Sequence, residues 1–138
     1  MKLNKIKIIF VCLANYCRSP MAEAIFNTLA ENDGIADYFE VSSAGTKNWD
    51  VGLRPDARSQ RLMANHAYHL SPHKRAQKIT PEEIHSTNYL IAMDQRIADE
   101  LGNGKNVHLL LDFVNHIDDK DIQDPYPTDT FEEAFTLI

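Results

Sequence analysis

Ile6-Lys7-Ile8-Ile9-Phe10-Val11-Cys12-Leu13-Ala14-Asn15-Tyr16-Cys17-Arg18-Ser19-Pro20 is the stretch from which the architecture follows. Its first half is a nearly continuous β-branched and aromatic run. That is the pattern of a strand covered on both faces in a parallel sheet, where a half-exposed strand would alternate. The run stops at Cys12 and a short loop follows. Ser19 and Pro20 then read as the cap and first turn of a helix with Met21, Ile25, Thr28 and Leu29 on one face. Strand, loop and helix in this order form the first half of a βαβ unit.

The same alternation continues downstream. Phe39 to Ser43 predicts a second strand, followed by a long loop carrying Gly45, Trp49 and Gly52 and a helix from about Pro55 to Asn65. Thr80-Pro81-Glu82-Glu83 is a capping box with proline at the first helical position. Asn88 to Met93 predicts a third strand, Asp94 caps a helix that stops at Gly102, and Val107 to Leu111 predicts a fourth strand. Alternation of this kind predicts an α/β, three-layer, Rossmann-like sandwich: a four-stranded parallel sheet, right-handed crossovers and helices on both faces. In such sheets ligands bind beyond the carboxyl ends of the strands, where strand order reverses, and the Cys12 loop lies at such an end. Near the end of the chain, Thr130-Phe131-Glu132-Glu133 is a further capping box, and Phe131, Ala134, Phe135 and Ile138 form an apolar stripe. A helix so short is marginal alone, so either it docks through Phe131 and Phe135 or the sequence is a shortened form.

At 138 residues, 43% of them hydrophobic, the chain fits one compact domain over residues 1–138. Ile8 to Ala14 behind Lys2, Lys5 and Lys7 is too short to span a bilayer and lacks a cleavage site, so no membrane association is expected. A net charge of -6 argues against nucleic acid and anionic membranes as partners. The charge is uneven. Asp112, Asp118, Asp119, Asp121, Asp124, Asp129, Glu132 and Glu133 face only Lys120, and most of them read as a solvated face. Two cysteines five positions apart cannot staple a fold, which points to free thiols in a reducing cytoplasm. His66, His69, His73, His85, His108 and His116 show no ligand spacing, and neither a metal nor a cofactor is expected.

The chemistry is carried by C-x5-R-S between a hydrophobic strand and a proline-started helix. The loop Leu13, Ala14, Asn15, Tyr16, Cys17 and Arg18 is short enough to wrap one tetrahedral anion. Its successive backbone N–H groups form a nest at the helix N-terminus, where the dipole favours negative charge. Arg18 adds a planar fork matched to phosphate oxygens. The same surroundings stabilise a thiolate at Cys12. A helix dipole contributes only about 0.3 to 1 kcal/mol, so loop amides, Arg18 and the Ser19 hydroxyl are expected to share the work. For a proton donor the choice is Asp124 in Gln123-Asp124-Pro125-Tyr126-Pro127, a loop stiffened by two prolines. It would protonate a leaving oxygen and then activate water against a phosphocysteine. Taken singly, Cys12 and Cys17 also read as core residues, Arg18 as a surface charge, Asp124 as a turn former, and Trp49 and Tyr126 as packing. Asn15 also reads as a left-handed turn residue, a conformation that would itself shape the nest.

Together, the Val-Cys-x5-Arg-Ser-Pro loop, Asp124-Pro125-Tyr126, Ser42-Ser43-Ala44-Gly45-Thr46, Trp49 and His73-Lys74-Arg75-Ala76-Gln77 resemble the low-molecular-weight protein tyrosine phosphatase family over nearly the whole chain. The resemblance implies the phosphotyrosine phosphatase I fold and hydrolysis of phosphotyrosine in tyrosine-phosphorylated proteins, with phosphate or other oxyanions as inhibitors in the loop. It implies that Cys12 is the nucleophile, Arg18 the phosphate clamp, Asp124 the acid and Ser19 a support for the thiolate. It further implies that Asn15 braces the loop through Ser43 and His73, and that Trp49 and Tyr126 line the cleft. Cys17 becomes a disulfide partner for Cys12 under peroxide. Three features depart from the family pattern. Ala14 stands where glycine is common, which would strain a positive φ; Pro127 replaces a second aromatic; and the last helix is short. Rival readings are an arsenate reductase, which needs more cysteines, a phosphoarginine phosphatase, which would carry a small hydroxyl residue in place of Tyr16, and a phosphocarrier that does not turn over.

Overall fold

A computed structural model describes residues 4–138, so Lys2 in the basic flank of the first strand lies outside the described residues. Four strands, β1 (Ile6–Cys12), β2 (Phe39–Gly45), β3 (Tyr89–Ala92) and β4 (Val107–Leu109), form one sheet in the order β2-β1-β3-β4. All pairings are parallel. β1 is central, with Ile9 and Val11 aimed at one face and Ile8, Phe10 and Cys12 at the other. Strand order reverses beside it, since the chain leaves β1 for one edge and returns to its other side.

Among the described residues, five α-helices complete the layers: α1 (Arg18–Asn32), α2 (Ala57–Asn65), α3 (Pro81–Ser86), α4 (Gln95–Glu100) and α5 (Phe131–Leu137). Ile97 and Ala98 of α4, with Ile84 of α3 at the margin, cover the Ile9 and Val11 face. Ala22 of α1 and Ala134 of α5 cover the Ile8, Phe10 and Cys12 face. A third cluster, Met21, Ala24 and Met63 with Phe135, joins α1, α2 and α5. Thus α5 docks, with Phe131 and Ala134 buried and Phe135 half-buried, as its stripe predicts.

Several local expectations shift. Leu29 is exposed, because the buried stripe of α1 runs through Met21, Ala24 and Thr28 and Leu29 falls beyond its edge. Ser19 does not cap α1. The helix begins at Arg18 without a side-chain cap, because the Ser19 hydroxyl faces Cys12 instead. α2 starts after Asp56, whose carboxylate accepts the Arg58 N–H at 2.8 Å. β4 stops at Leu109 and turns into a 3-10 segment, Leu110–Phe113. Thr80 forms its capping box, but Thr130 does not cap α5; its hydroxyl pairs with that of Thr128 at 2.9 Å.

Candidate active site

The carboxyl end of β1, the next five residues and the first turn of α1 make a closed corner. Cys12 lies opposite Gly45 in the β1–β2 register and is buried. The left-handed residue of the loop is Asn15, at φ 55°, while Ala14 has an ordinary φ, so no strain falls on the alanine. Among the described residues, no protein group takes up the backbone N–H groups of Leu13 to Cys17. They converge at the N-terminus of a 15-residue helix with no acidic residue in its first turn, a setting suited to a tetrahedral anion. Ser19 Oγ stands 3.0 Å from Cys12 Sγ.

Arg18 is 2% exposed. Its Nη1 donates to Asp94 Oδ2 at 2.6 Å and to the Ile122 carbonyl at 2.7 Å, which fixes one guanidinium nitrogen. Burial opposes its charge, but the Cys12 sulfur and the Asp94 carboxylate outweigh burial and push its pKa up. Asp94 is a site residue that sequence reasoning read only as a helix cap. It does both: Oδ1 accepts the Ile97 N–H at 2.9 Å while Oδ2 holds Arg18. The available signal was its position just beyond the end of β3, the strand next to Cys12.

The loop is braced from β2, though not as expected. Asn15 Nδ2 donates to Ser19 Oγ at 2.8 Å and to Ser43 Oγ at 2.9 Å, and Asn15 Oδ1 accepts the Gln77 N–H at 3.1 Å. His73 takes no part. It is exposed, and among the described residues it bonds only through its backbone N–H, to Ser71 Oγ at 3.1 Å. The inward position belongs to the next residue, Lys74, whose Nζ reaches the Ser43 carbonyl at 2.9 Å and Glu23 Oε1 at 3.3 Å. His73 lies in a turn closed by the Lys74 N–H to the Ser71 carbonyl at 3.2 Å, and beyond it Lys74 and Ala76 are buried while Arg75 and Gln77 are exposed.

Above the loop is a cavity of about 480 Å³ lined by Cys12, Leu13, Ala14, Tyr16, Cys17, Arg18, Trp49, Asp124 and Tyr126 together with Asp50 and Leu53, which sequence reasoning did not single out. Trp49 and Tyr126 are exposed. Tyr16 meets the Tyr126 ring edge-on at 6.1 Å between centroids. Asp124 is half-buried, and its Oδ1 accepts the Tyr126 N–H at 3.1 Å, while Pro125 between them is buried. The Cys17 thiol is pushed well up by burial, then by Asp56 and Cys12. Both cysteines are free. A sulfur nucleophile, an anion nest, a fixed guanidinium and a carboxyl across the cavity can together transfer a phosphoryl group to sulfur and release it to water. Among the described residues there is no cluster of His, Cys, Asp and Glu able to hold a metal ion, and no helix is long and apolar enough to cross a membrane.

Comparison with known proteins agrees with this geometry. Residues 7–138 match the model of a family described as low molecular weight phosphotyrosine protein phosphatase. The low molecular weight protein-tyrosine-phosphatase YfkJ of Bacillus subtilis is 35% identical over 142 residues, covering 96% of this chain and 88% of the relative. The crystal structure of YfkJ superposes with a TM-score of 0.94 over 99% of this chain and 89% of that one, at 34% identity. A Drosophila arginine phosphatase structure superposes at 0.85 over 95% of this chain and 89% of that one, at 31% identity.

Proposed function

Because the chain belongs to the low molecular weight phosphotyrosine protein phosphatase family, we propose that it hydrolyses phosphotyrosine in proteins through a phosphocysteine on Cys12. The observation that carries this reading is the meeting of Cys12, Arg18 and Asp124 in one cavity at the carboxyl end of the central strand. The substrate phosphoryl group sits in the nest of loop N–H groups, clamped by the part of Arg18 that Asp94 leaves free. The Cys12 thiolate attacks phosphorus and the bond to the tyrosine oxygen breaks. Asp124 gives its proton to that oxygen, which would otherwise leave as a phenolate. Asp124, now a carboxylate, takes a proton from the water that attacks the phosphocysteine. Phosphate leaves and the thiolate is restored. Tyr16, Trp49 and Tyr126 supply apolar walls for a phenyl ring, and Ser19 donates to the sulfur. Inorganic phosphate and other oxyanions compete for the nest. Cys17 is a disulfide partner for Cys12 when peroxide oxidises it, and a reducing cytoplasm is the setting that keeps both thiols free.

Hydrolysis of an aryl phosphate in EDTA tests the proposal. Multiple turnover abolished by Cys12→Ser and slowed about 10²-fold or more by Asp124→Ala is the expected result, the size being that of a positioned general acid. A folded parent that binds phosphate without turnover overturns it. Phosphoarginine is the control substrate, given the likeness to an arginine phosphatase. Tyr16 fills the position where a small hydroxyl residue would suit that substrate, so phosphotyrosine is expected to be preferred.

A further inference from the structure

The segment that carries Asp124 has little secondary structure of its own. Ile122 and Pro125 are buried and Phe131 closes the segment, but Tyr126 to Asp129 stand exposed. The segment returns to itself through one backbone bond, Thr130 N–H to the Pro125 carbonyl at 3.3 Å, and Asp129 holds a left-handed φ of 55°, a conformation that costs energy in a residue other than glycine.

Arg58, in the first turn of α2, reaches this stretch from the body of the protein. Its Nε and Nη2 donate to the two carboxylate oxygens of Asp56 at 3.0 and 2.9 Å. That bidentate pair fixes the guanidinium plane. With the plane fixed, Nη1 donates to Asp129 Oδ1 at 3.2 Å, and the guanidinium carbon lies 4.1 Å from the Phe131 ring centre and 5.4 Å from that of Tyr126. Asp56 in turn donates its backbone N–H to the Tyr16 carbonyl at 2.9 Å. A continuous series of contacts therefore runs from the Cys12 loop through Asp56 and Arg58 to both flanks of the exposed stretch.

We propose that Arg58 is a positioning residue for the general acid, holding the Asp124 segment over the Cys12 loop. The inference rests on the proposed function for its kinetic consequence, though not for its structural one. Asp124 is needed in the first chemical step, in which the sulfur–phosphorus bond forms, the phosphorus–oxygen bond breaks and the leaving oxygen takes the Asp124 proton. The need grows as the leaving oxygen becomes more basic. A displaced Asp124 therefore penalises phenyl phosphate heavily and 2,4-dinitrophenyl phosphate little, and kcat/KM reads this step.

The test compares the parent with Arg58→Met, which keeps an apolar stem against Phe131, and with Asp129→Asn, which leaves the Arg58–Asp56 pair intact and suits left-handed geometry. In Arg58→Met, kcat/KM is expected to fall about tenfold or more for phenyl phosphate and less than about twofold for 2,4-dinitrophenyl phosphate, within the roughly 10² to 10⁴ that a positioned acid supplies. Asp129→Asn should show the same selectivity with a smaller loss. Inhibition by inorganic phosphate, which reads the nest, should stay unchanged in both. Amide hydrogen exchange, read in parallel, should accelerate at 123–130 and not at 12–18. Equal losses for every leaving group, or unchanged exchange at 123–130, overturns the inference. Exchange reports whether or not the parent turns over, so failure of the phosphatase reading, seen as an inactive parent, is distinct from failure of this one.

Discussion

Ser19 Oγ accepts a hydrogen from Asn15 Nδ2, which leaves its own hydrogen to be shared between the Cys12 sulfur at 3.0 Å and the more distant Ala44 carbonyl at 3.4 Å, and the direction of the Asn15 bond is set at Glu23, well away from the sulfur. A carboxylate only accepts. Ser43 Oγ must therefore donate to Glu23 and can only accept from Asn15. The Gln77 N–H holds Asn15 Oδ1 on the far side, so both Nδ2 hydrogens point at the two serines. Lys74 holds Glu23 in place, and both side chains are largely buried. Breaking a buried pair leaves a charge without compensation, so Lys74→Met should cost about 3 kcal/mol in urea unfolding, and Glu23→Gln/Lys74→Met should recover part of it. His73→Ala should stay within about 0.5 kcal/mol, as expected of an exposed residue. A large His73 effect with a small Lys74 effect would restore the brace expected from sequence. Ser19 was legible from its place in the C-x5-R-S loop beside the thiol, whereas Asn15 and Ser43 were implied by the family resemblance. Lys74 was not legible, because which of two adjacent residues faces inward depends on the path of a segment outside any helix or strand. Cys17 carries a pH consequence. Its pKa is raised in the fold, so the protonated thiol is the form that folding favours. That contribution is complete below the unfolded thiol's pKa of about 8.5 and is lost as pH rises above it. Cys17→Ala should flatten the loss of stability between about pH 8.5 and 10 in chemical denaturation; an unchanged alkaline slope would count against the assignment.

At the scale of elements, the site is a junction of β1, β2 and α1, and Gly45 is its tightest point. It pairs with Cys12 in register, its N–H donates to the Gln77 carbonyl at 2.8 Å, and its carbonyl accepts the Ile79 N–H at 2.8 Å. A Cβ there would lie 2.8 Å from Ala14 C, Asn15 N and Leu13 O. All three are backbone atoms of the anion nest, so the loop itself would have to move. Gly45→Ala should therefore cost about 1 to 3 kcal/mol of stability and a disproportionate share of phosphate affinity, read by calorimetric titration. Normal affinity in the variant would mean that the loop is not seated on β2. The order of elements was legible from alternating hydrophobic runs, and the capping boxes show why their ends were less so. Thr80 forms its box where the chain enters α3 in extended geometry, whereas Thr130 is drawn to Thr128 and leaves α5 uncapped. Ser19, a capping residue by type, is drawn to a thiol 7 positions away. In both cases the competing partner is supplied by the folded structure.

At the scale of the whole molecule, the layers assemble around a site whose surroundings are negative. The net charge is -6, Asp50 stands in the cavity wall, and the cation at its base, Arg18, is already paired with Asp94 at 2.6 Å. The protein thus gains little long-range attraction for a phosphate dianion, and in the proposed reaction capture would fall to the loop amides and the free edge of Arg18, which act only at contact. Charges on the substrate beyond the phosphate then decide how it approaches. At an ionic strength of about 0.01 M the screening length is about 30 Å and the whole surface is felt, while at about 0.15 M it is about 8 Å and only the rim is felt. For a phosphotyrosine peptide flanked by acidic residues, kcat/KM should rise between those two conditions as repulsion is screened. For a peptide flanked by lysines it should fall as attraction is screened. Sodium chloride is the salt to use, since sulfate and phosphate would compete for the nest. Opposite slopes for the two peptides would establish that the net field governs encounter. Equal slopes would locate the salt effect in the nest itself, where both substrates present the same phosphoryl group.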